Sequence, residues 1–363
     1  MWRLLRPDTV AAFQQERVKK AIPRYIDVVE NRRFAQFQVL RKTPVTFRAA
    51  DSLEDLGHLH SQGLRTFREI LGRLDAGELS IQSLETPKTT LLDLKAEIAD
   101  RLVQSCVLCE RRCQVNRKEG EKGVCEAGYD MEVSSFFRHM GEEPQISPSF
   151  TIFTVHCNFF CQHCQNWSIS RAVEEGEAVS PMIMAALIDE ARRDGNRNAN
   201  LVGGDPGPWL HAWLKVFQHV KTSIPVVWNS NMYHSSEAAR LLEGFVDLFL
   251  SDYKYGNDKC ATRYSKVPRY VEVVSRNHLL GARHAEFLVR VLLLPNHNSC
   301  CTRPVLSWIK ENLGANTLVN IMDQYRPEYL AKNYPEINRR LRADEFSEAV
   351  EIAREVGLEN LVT

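Results

Sequence analysis

The sequence predicts an α/β protein: a partial (β/α)6, TIM-like barrel preceded by a helical N-terminal domain and a small cysteine-rich metal-binding segment. Three observations carry that prediction. Apolar runs at residues 150–156, 199–202, 225–228, 246–250, 286–294 and 317–322 alternate with amphipathic stretches at 181–194, 208–221, 235–243, 270–283, 303–313 and 343–356. Strands that alternate with helix-length segments build a parallel sheet, because each return to the same edge needs a crossover. Seven of the ten cysteines fall into two tight groups. Polar motifs follow directly on the apolar runs, where a barrel gathers its chemistry at the C-terminal ends of its strands. The expected division is 1–105, 106–148 and 149–363.

Residues 1–105 read as mostly helical, with apolar positions at three- and four-residue spacing in Leu91, Leu92, Leu94, Ile98 and Leu102. The first 48 residues hold eleven Lys or Arg against four Asp or Glu. That excess reads as a solvated helical surface or as a dock for an acidic partner, protein or nucleic acid. No aromatic stacking positions interleave the charges, so RNA is not favoured over protein. These helices are expected to cap the barrel mouth or to receive a macromolecule.

Over the whole chain of 363 residues, 44% are hydrophobic, 25% are charged and the net charge is zero. The chain reads as globular, with no overall attraction to polyanions. No run of about 18 apolar residues is present, so no membrane span is expected. The opening MWRLLRPDTVAAFQQE lacks the apolar core and cleavage site of a signal peptide, which predicts a cytoplasmic protein. In a reducing compartment, clustered cysteines favour metal ligation over disulfides.

The first group is Cys106, Cys109, Cys113 and Cys125, with Gly120 and Gly123 marking a turn before the last. Four thiolates suit a closed Zn2+ or mononuclear iron site, or an iron–sulfur cluster, and binding would supply folding free energy to a segment without its own core. The second group lies in HCNFFCQHCQN, residues 156–166, where Cys157, Cys161 and Cys164 have the spacing C-x3-C-x2-C directly after an apolar run. A [4Fe–4S] cube normally takes four protein thiolates, so three leave one iron open to another ligand.

This spacing resembles the signature of the radical S-adenosylmethionine (SAM) superfamily. The resemblance implies a [4Fe–4S] cluster at Cys157, Cys161 and Cys164 whose open iron chelates SAM, and reductive cleavage of SAM to a 5′-deoxyadenosyl radical that abstracts hydrogen. His163 stands where family members usually carry the aromatic residue that contacts adenine. From about residue 100 onward, WNSNMY, DYKYGND and QYRPEY resemble the pyruvate formate-lyase activating enzyme-like branch, in particular members of undetermined substrate with a preceding four-cysteine segment.

The strand ends fit the same expectation. Gly203, Gly204 and Asp205 resemble the motif that receives the SAM amino group, and they also read as a plain turn. Glycines lacking Cβ let a ligand approach the backbone. Asn229 and Asn231 suit the ribose or methionine part, or a helix cap. Asp252 and Lys254 are two apart and leave one face of a strand; the resemblance implies a SAM contact, and a structural ion pair is the alternative. Arg290 resembles the arginine that meets the SAM carboxylate, and a snorkelling rim arginine is the alternative. No histidine follows the sixth run, so Gln324 or Arg326 is the expected substitute. Cys260, Cys300 and Cys301 match no ligand spacing and read as free thiols, and His278, His284 and His297 as solvent or core histidines.

The reaction implied is a radical SAM oxidoreductase run anaerobically, with an electron donor such as flavodoxin or ferredoxin. Its substrate is expected to be a protein or peptide residue, through glycyl-radical activation or another modification; a small molecule or RNA is the alternative. An iron–sulfur electron carrier or a Zn-organised adaptor would explain the cysteines but not the polar strand ends.

Overall fold

Alternation of apolar strands with amphipathic helices sets the frame. The computed structural model describes residues 6–171 and 174–362. Residues 1–5 of the expected N-terminal domain, and 172, 173 and 363 of the expected barrel, lie outside the described residues. The strands are β1 (Glu132–His139), β2 (Ser149–Thr154), β3 (Glu177–Ala178), β4 (Asn198–Leu201), β5 (Val226–Ser230), β6 (Leu248–Asp252), β7 (Glu286–Leu292), β8 (Leu318–Met322) and β9 (Asn360–Val362). They form one nine-stranded sheet in the order β3-β1-β2-β4-β5-β6-β7-β8-β9. From β2 to β9 every neighbouring pair is parallel, whereas β1 is antiparallel to β2 and β3 to β1. The six expected strands are therefore consecutive in the sheet, as a partial barrel requires.

The crossover helices bury their apolar stripes against this sheet. Helix Pro181–Arg193 starts where Ser180 accepts the Ile183 N–H and Pro181 has no N–H to leave unpaired. It buries Met184, Ala185 and Ile188. Strands β1, β3 and β9 and helix Asp258–Ser265 were not legible in the sequence. β1 has an exposed outer half, β3 and β9 are two and three residues long, and helix Asp258–Ser265 has a polar surface with only Ala261, Tyr264 and Ser265 buried.

The N-terminal region packs at the end of the barrel opposite the one expected. Inward residues Val227, Leu248, Leu250, Leu288 and Leu318 form one apolar cluster with Phe13, Val18, Ile22, Tyr25 and Ile26. On β6 these are Leu248 and Leu250, the first and third residues, and Asp252 is the last. Helices Pro7–Ala12, Glu16–Ala21 and Pro23–Val29 thus plug the N-terminal end and leave the mouth open. The physical reason is that the strands begin with inward Leu and Val, which must be covered, and end in inward polar groups. The basic charge is largely paired: Arg24 with Asp75 and Asp247, Arg32 and Arg33 with Asp27, Lys19 with Glu16, and Arg48 with Asp51.

Helices Leu53–Asp75 and Leu91–Leu102 start in capping boxes, Ser52 with Asp55 and Thr90 with Asp93. Leu91, Leu92, Leu94, Ile98 and Leu102 are all buried, in the same core as the barrel helices. Among the described residues no helix is long and apolar enough to cross a membrane.

Candidate active site at the barrel mouth

Beyond β2 the chain turns at His156, which has φ +72°, and enters the cysteine loop. The loop is fastened by backbone bonds from Phe160 N–H to the Ser265 carbonyl (3.0 Å) and from Gln162 N–H to that of Tyr264 (2.7 Å). Arg171 donates to the carbonyls of Phe159 and Cys157 and lies 3.6 Å from the centre of the Phe160 ring. Cys157, Cys161 and Cys164 line one cavity of about 250 Å3, together with His163, Gly203, Gly204, Asp205, Asn229, Asn231, Asp252, Lys254 and Arg290. All of these were expected from the sequence to face the cofactor, and of the two candidates after β8 only Gln324 joins them.

The sulfurs already receive donors. Cys157 Sγ accepts from Phe159 N–H (3.3 Å), and Cys161 Sγ from the Ser265 hydroxyl (3.0 Å). Cys164 Sγ lies 3.3 Å from Ser170 Oγ. Burial, then Asp205 and Cys161, push the Cys157 thiol well up, and burial, then Cys164, pushes the Cys161 thiol to about 11. Bound metal reverses that logic by holding thiolates deprotonated. Three thiols converging on open space, with donors to stabilise sulfur charge, fit a cube that needs a non-protein ligand on its remaining iron.

Gly203 and Gly204 bring β4 against this loop. Gly203 has φ +110°, and a Cβ there would stand 2.3 Å from the Thr154 carbonyl oxygen; one on Gly204 would stand 2.1 Å from that of His156. Their first duty is therefore chain-to-chain approach beneath the cysteines. Asp205 is 2% exposed. Its carboxylate accepts from Gly207 N–H (2.8 Å), Asn231 N–H (2.9 Å) and the Ser230 hydroxyl (3.0 Å). Burial pushes its pKa up to about 6 against those bonds. Three of about four acceptor positions are thus occupied, and one is left. Asn231 donates to Asn158 (2.8 Å) and reaches Cys157 Sγ at 3.7 Å.

Asp252 and Lys254 form an ion pair of 2.6 Å at the end of β6. Burial lowers the Lys254 pKa, but Asp252 and the nearby thiols outweigh it, and the ammonium is held charged. Arg290 is paired from below. Its Nε and Nη2 donate to the two oxygens of Glu143, both at 2.7 Å, and Nη2 also reaches Glu142. The Nη1 edge is the least engaged, 3.5 Å from Asn229 Oδ1. Glu143 also accepts from Asn320 and Glu142 from Asn200. Arg290 and its neighbour His139 hold the Glu142 carboxyl at about 2 despite its burial. Sequence reading missed both glutamates, because they lie in a loop between strands, and only the tertiary fold threads that loop into the barrel.

His163 is buried, 2.9 Å from the Tyr255 hydroxyl, and burial followed by Lys254 lowers its pKa to about 3. Gln324 is on the cavity wall, whereas Arg326 is at the surface, paired with Glu328. His278 is a core histidine, 2.9 Å from Ser251 Oγ.

The four-cysteine segment lies beside the site. Arg111 donates to the carbonyls of Asn158 (3.0 Å) and Lys266 (2.7 Å), and the backbone at Cys109 forms an antiparallel β-bridge with that at His234. Burial first, then Cys125, Cys106 and Cys113, push the Cys109 thiol up.

A parallel α/β barrel with a cysteine loop after its first parallel strand and a polar cavity at the strand C-terminal ends is the architecture of a SAM-dependent iron–sulfur protein. The Radical SAM superfamily model matches residues 151–309, and the chain belongs to that superfamily. It is 41% identical to an uncharacterized protein of Methanocaldococcus jannaschii over 345 residues, which cover 93% of this chain and 98% of that one. Among solved structures it is similar to SuiB of Streptococcus suis bound to the precursor peptide SuiA (TM-score 0.43, 11% identity, 88% of this chain and 67% of that one). Another is TYW1 with a lysine-pyruvate adduct (TM-score 0.36, 13% identity, 57% and 73%).

Proposed function

We propose that this chain reductively cleaves SAM at a [4Fe–4S] cluster held by Cys157, Cys161 and Cys164, and uses the product to modify a protein or peptide residue. When bound, the cluster and SAM supply a 5′-deoxyadenosyl radical. The observation that carries the reading is the single cavity shared by the three thiols and the strand-end polar groups. The chain's own residues bind and orient. Asp252 and the remaining acceptor position of Asp205 offer negative charge to an ammonium, while Lys254 and the Nη1 edge of Arg290 offer positive charge to a carboxylate. Phe159, Val202, Leu292 and Met322 exclude water from the reacting groups. The protein substrate rests on the sequence's resemblance to activating enzymes, as does electron delivery by a flavodoxin- or ferredoxin-like donor. A second centre, Zn2+, mononuclear iron or iron–sulfur, is assigned to Cys106, Cys109, Cys113 and Cys125.

The test is anaerobic incubation of reconstituted protein with SAM and a strong reductant, following 5′-deoxyadenosine by chromatography. Product from wild type and none from Cys157→Ala is expected. Equal product from both would remove the cluster assignment. No product from wild type with an intact cluster, even with candidate substrates present, would favour an electron carrier.

A further inference from the structure

The three cysteines outside both sulfur groups meet in space. Cys260 lies in the first turn of helix Asp258–Ser265, and Cys300 and Cys301 lie on a π-helical turn, Asn298–Thr302. Such turns widen a helix by one residue and recur at functional sites. The sulfurs of Cys260 and Cys300 and a ring nitrogen of His297 lie within 4.8 Å of one another. Cys301 Sγ stands 3.9 Å from Cys300 Sγ. Two thiolates on one tetrahedral Zn2+, each at about 2.3 Å, stand about 3.8 Å apart.

His297 is poised as the fourth member. It is 6% exposed, and its Nδ1 lies 2.6 Å from the Pro295 carbonyl. A carbonyl only accepts, so Nδ1 carries a proton, and in the neutral ring Nε2 keeps its lone pair. The Tyr264 hydroxyl, 3.1 Å from Nε2, has the Glu336 carboxylate at 2.7 Å. Arg263 pairs with that carboxylate at 2.6 Å, and an ionised carboxylate takes the phenol proton. Nε2 is then a buried acceptor without a donor. A second nitrogen fixed by a backbone carbonyl is the usual support of a metal-binding histidine.

The frame around the cluster is also built. Asn257 accepts the Cys260 N–H and donates to the Cys300 carbonyl, both at 2.8 Å. A Cβ on Gly256 would stand 2.8 Å from that same carbonyl oxygen.

We propose that Cys260, Cys300, Cys301 and His297 form a site for one thiophilic divalent cation of the Zn2+ class, distinct from the two other cysteine groups. Binding releases the thiol protons to solvent and joins Cys260, Cys300 and His297, with Cys301 the adjacent thiol beside Cys300. It ties the start of helix Asp258–Ser265 to the π-turn. The far end of that helix supplies the Ser265 hydroxyl to Cys161 and the two carbonyls that fasten the cysteine loop. The ion would therefore stiffen the support of the loop without touching the cavity.

The experiment uses wild-type protein, purified anaerobically and loaded with Zn2+. Brief iodoacetamide labelling and non-reducing peptide mapping are run before and after treatment with a chelator. The expected result is that Cys260 and Cys300 label about tenfold or more slowly with Zn2+ present. The Cys260→Ser/Cys300→Ser variant should bind one Zn2+ fewer per chain, with unchanged iron content and visible absorption. Equal labelling with and without Zn2+ overturns the proposal. So does a peptide linking Cys260 to Cys300 or Cys301 through a disulfide. If the variant does not fold, the wild-type labelling decides alone.

Discussion

Glu143 is the residue whose removal most directly tests the barrel interior. Glu143→Gln deletes a buried carboxylate that receives two bonds from Arg290 at 2.7 Å and one from Asn320 at 2.7 Å. The guanidinium stays buried with Glu142 as its remaining carboxylate. Breaking one side of a buried ion pair costs about 3–5 kcal/mol. Glutamine keeps one acceptor and Glu142 remains, so the lower end, roughly 3 kcal/mol, is expected. That is a factor of about 150 in the unfolding equilibrium. Urea unfolding of the apoprotein, followed by far-ultraviolet circular dichroism, measures it as a fall in midpoint at constant slope. Arg290→Met alone should be destabilising because it strands two carboxylates. The double variant should lose less than the sum of the singles by about 1–3 kcal/mol. A loss below about 1 kcal/mol for Glu143→Gln, or additive singles, would refute the coupled interior.

Three further outcomes are expected. Glu142 has its folded pKa lowered to about 2 from 4.5, so its contribution is fully present above pH 4.5 and lost as pH falls through about 2. Wild type should therefore lose more stability than Glu142→Gln over that window, and parallel curves would oppose this. Lys95 is buried, 2.8 Å from His60, and burial lowers its pKa to about 7 from 10.5. The unfolded chain binds more protons between those values, so wild-type stability rises with pH there. Lys95→Met removes that titration, so its stability should change less between pH 7 and pH 10 than that of wild type; thermal melts against pH check it, and parallel curves would count against it. The Asp252→Ala/Lys254→Ala double variant should keep its visible iron–sulfur absorption and lose most 5′-deoxyadenosine formation, and unaltered cleavage would remove both from the SAM site.

Period and spacing made much of this protein legible. The six parallel strands could be read because each is a short apolar run followed by a helical stripe, a local property of the chain. The cysteine loop could be read because metal-ligand spacing is local too, and the strand-end residues because a barrel sends the C-terminal ends of its strands to one mouth. Only the tertiary structure decided which groups meet across long separations. Glu142 and Glu143 reach Arg290 from a loop nearly 150 residues earlier. The N-terminal helices plug the end where inward leucines need cover. Cys260, Cys300, Cys301 and His297 converge only because a polar helix and a π-turn are held together by Asn257. None of these contacts leaves a periodic or spaced trace, since each depends on where the sheet carries distant segments and not on the order of residues within them.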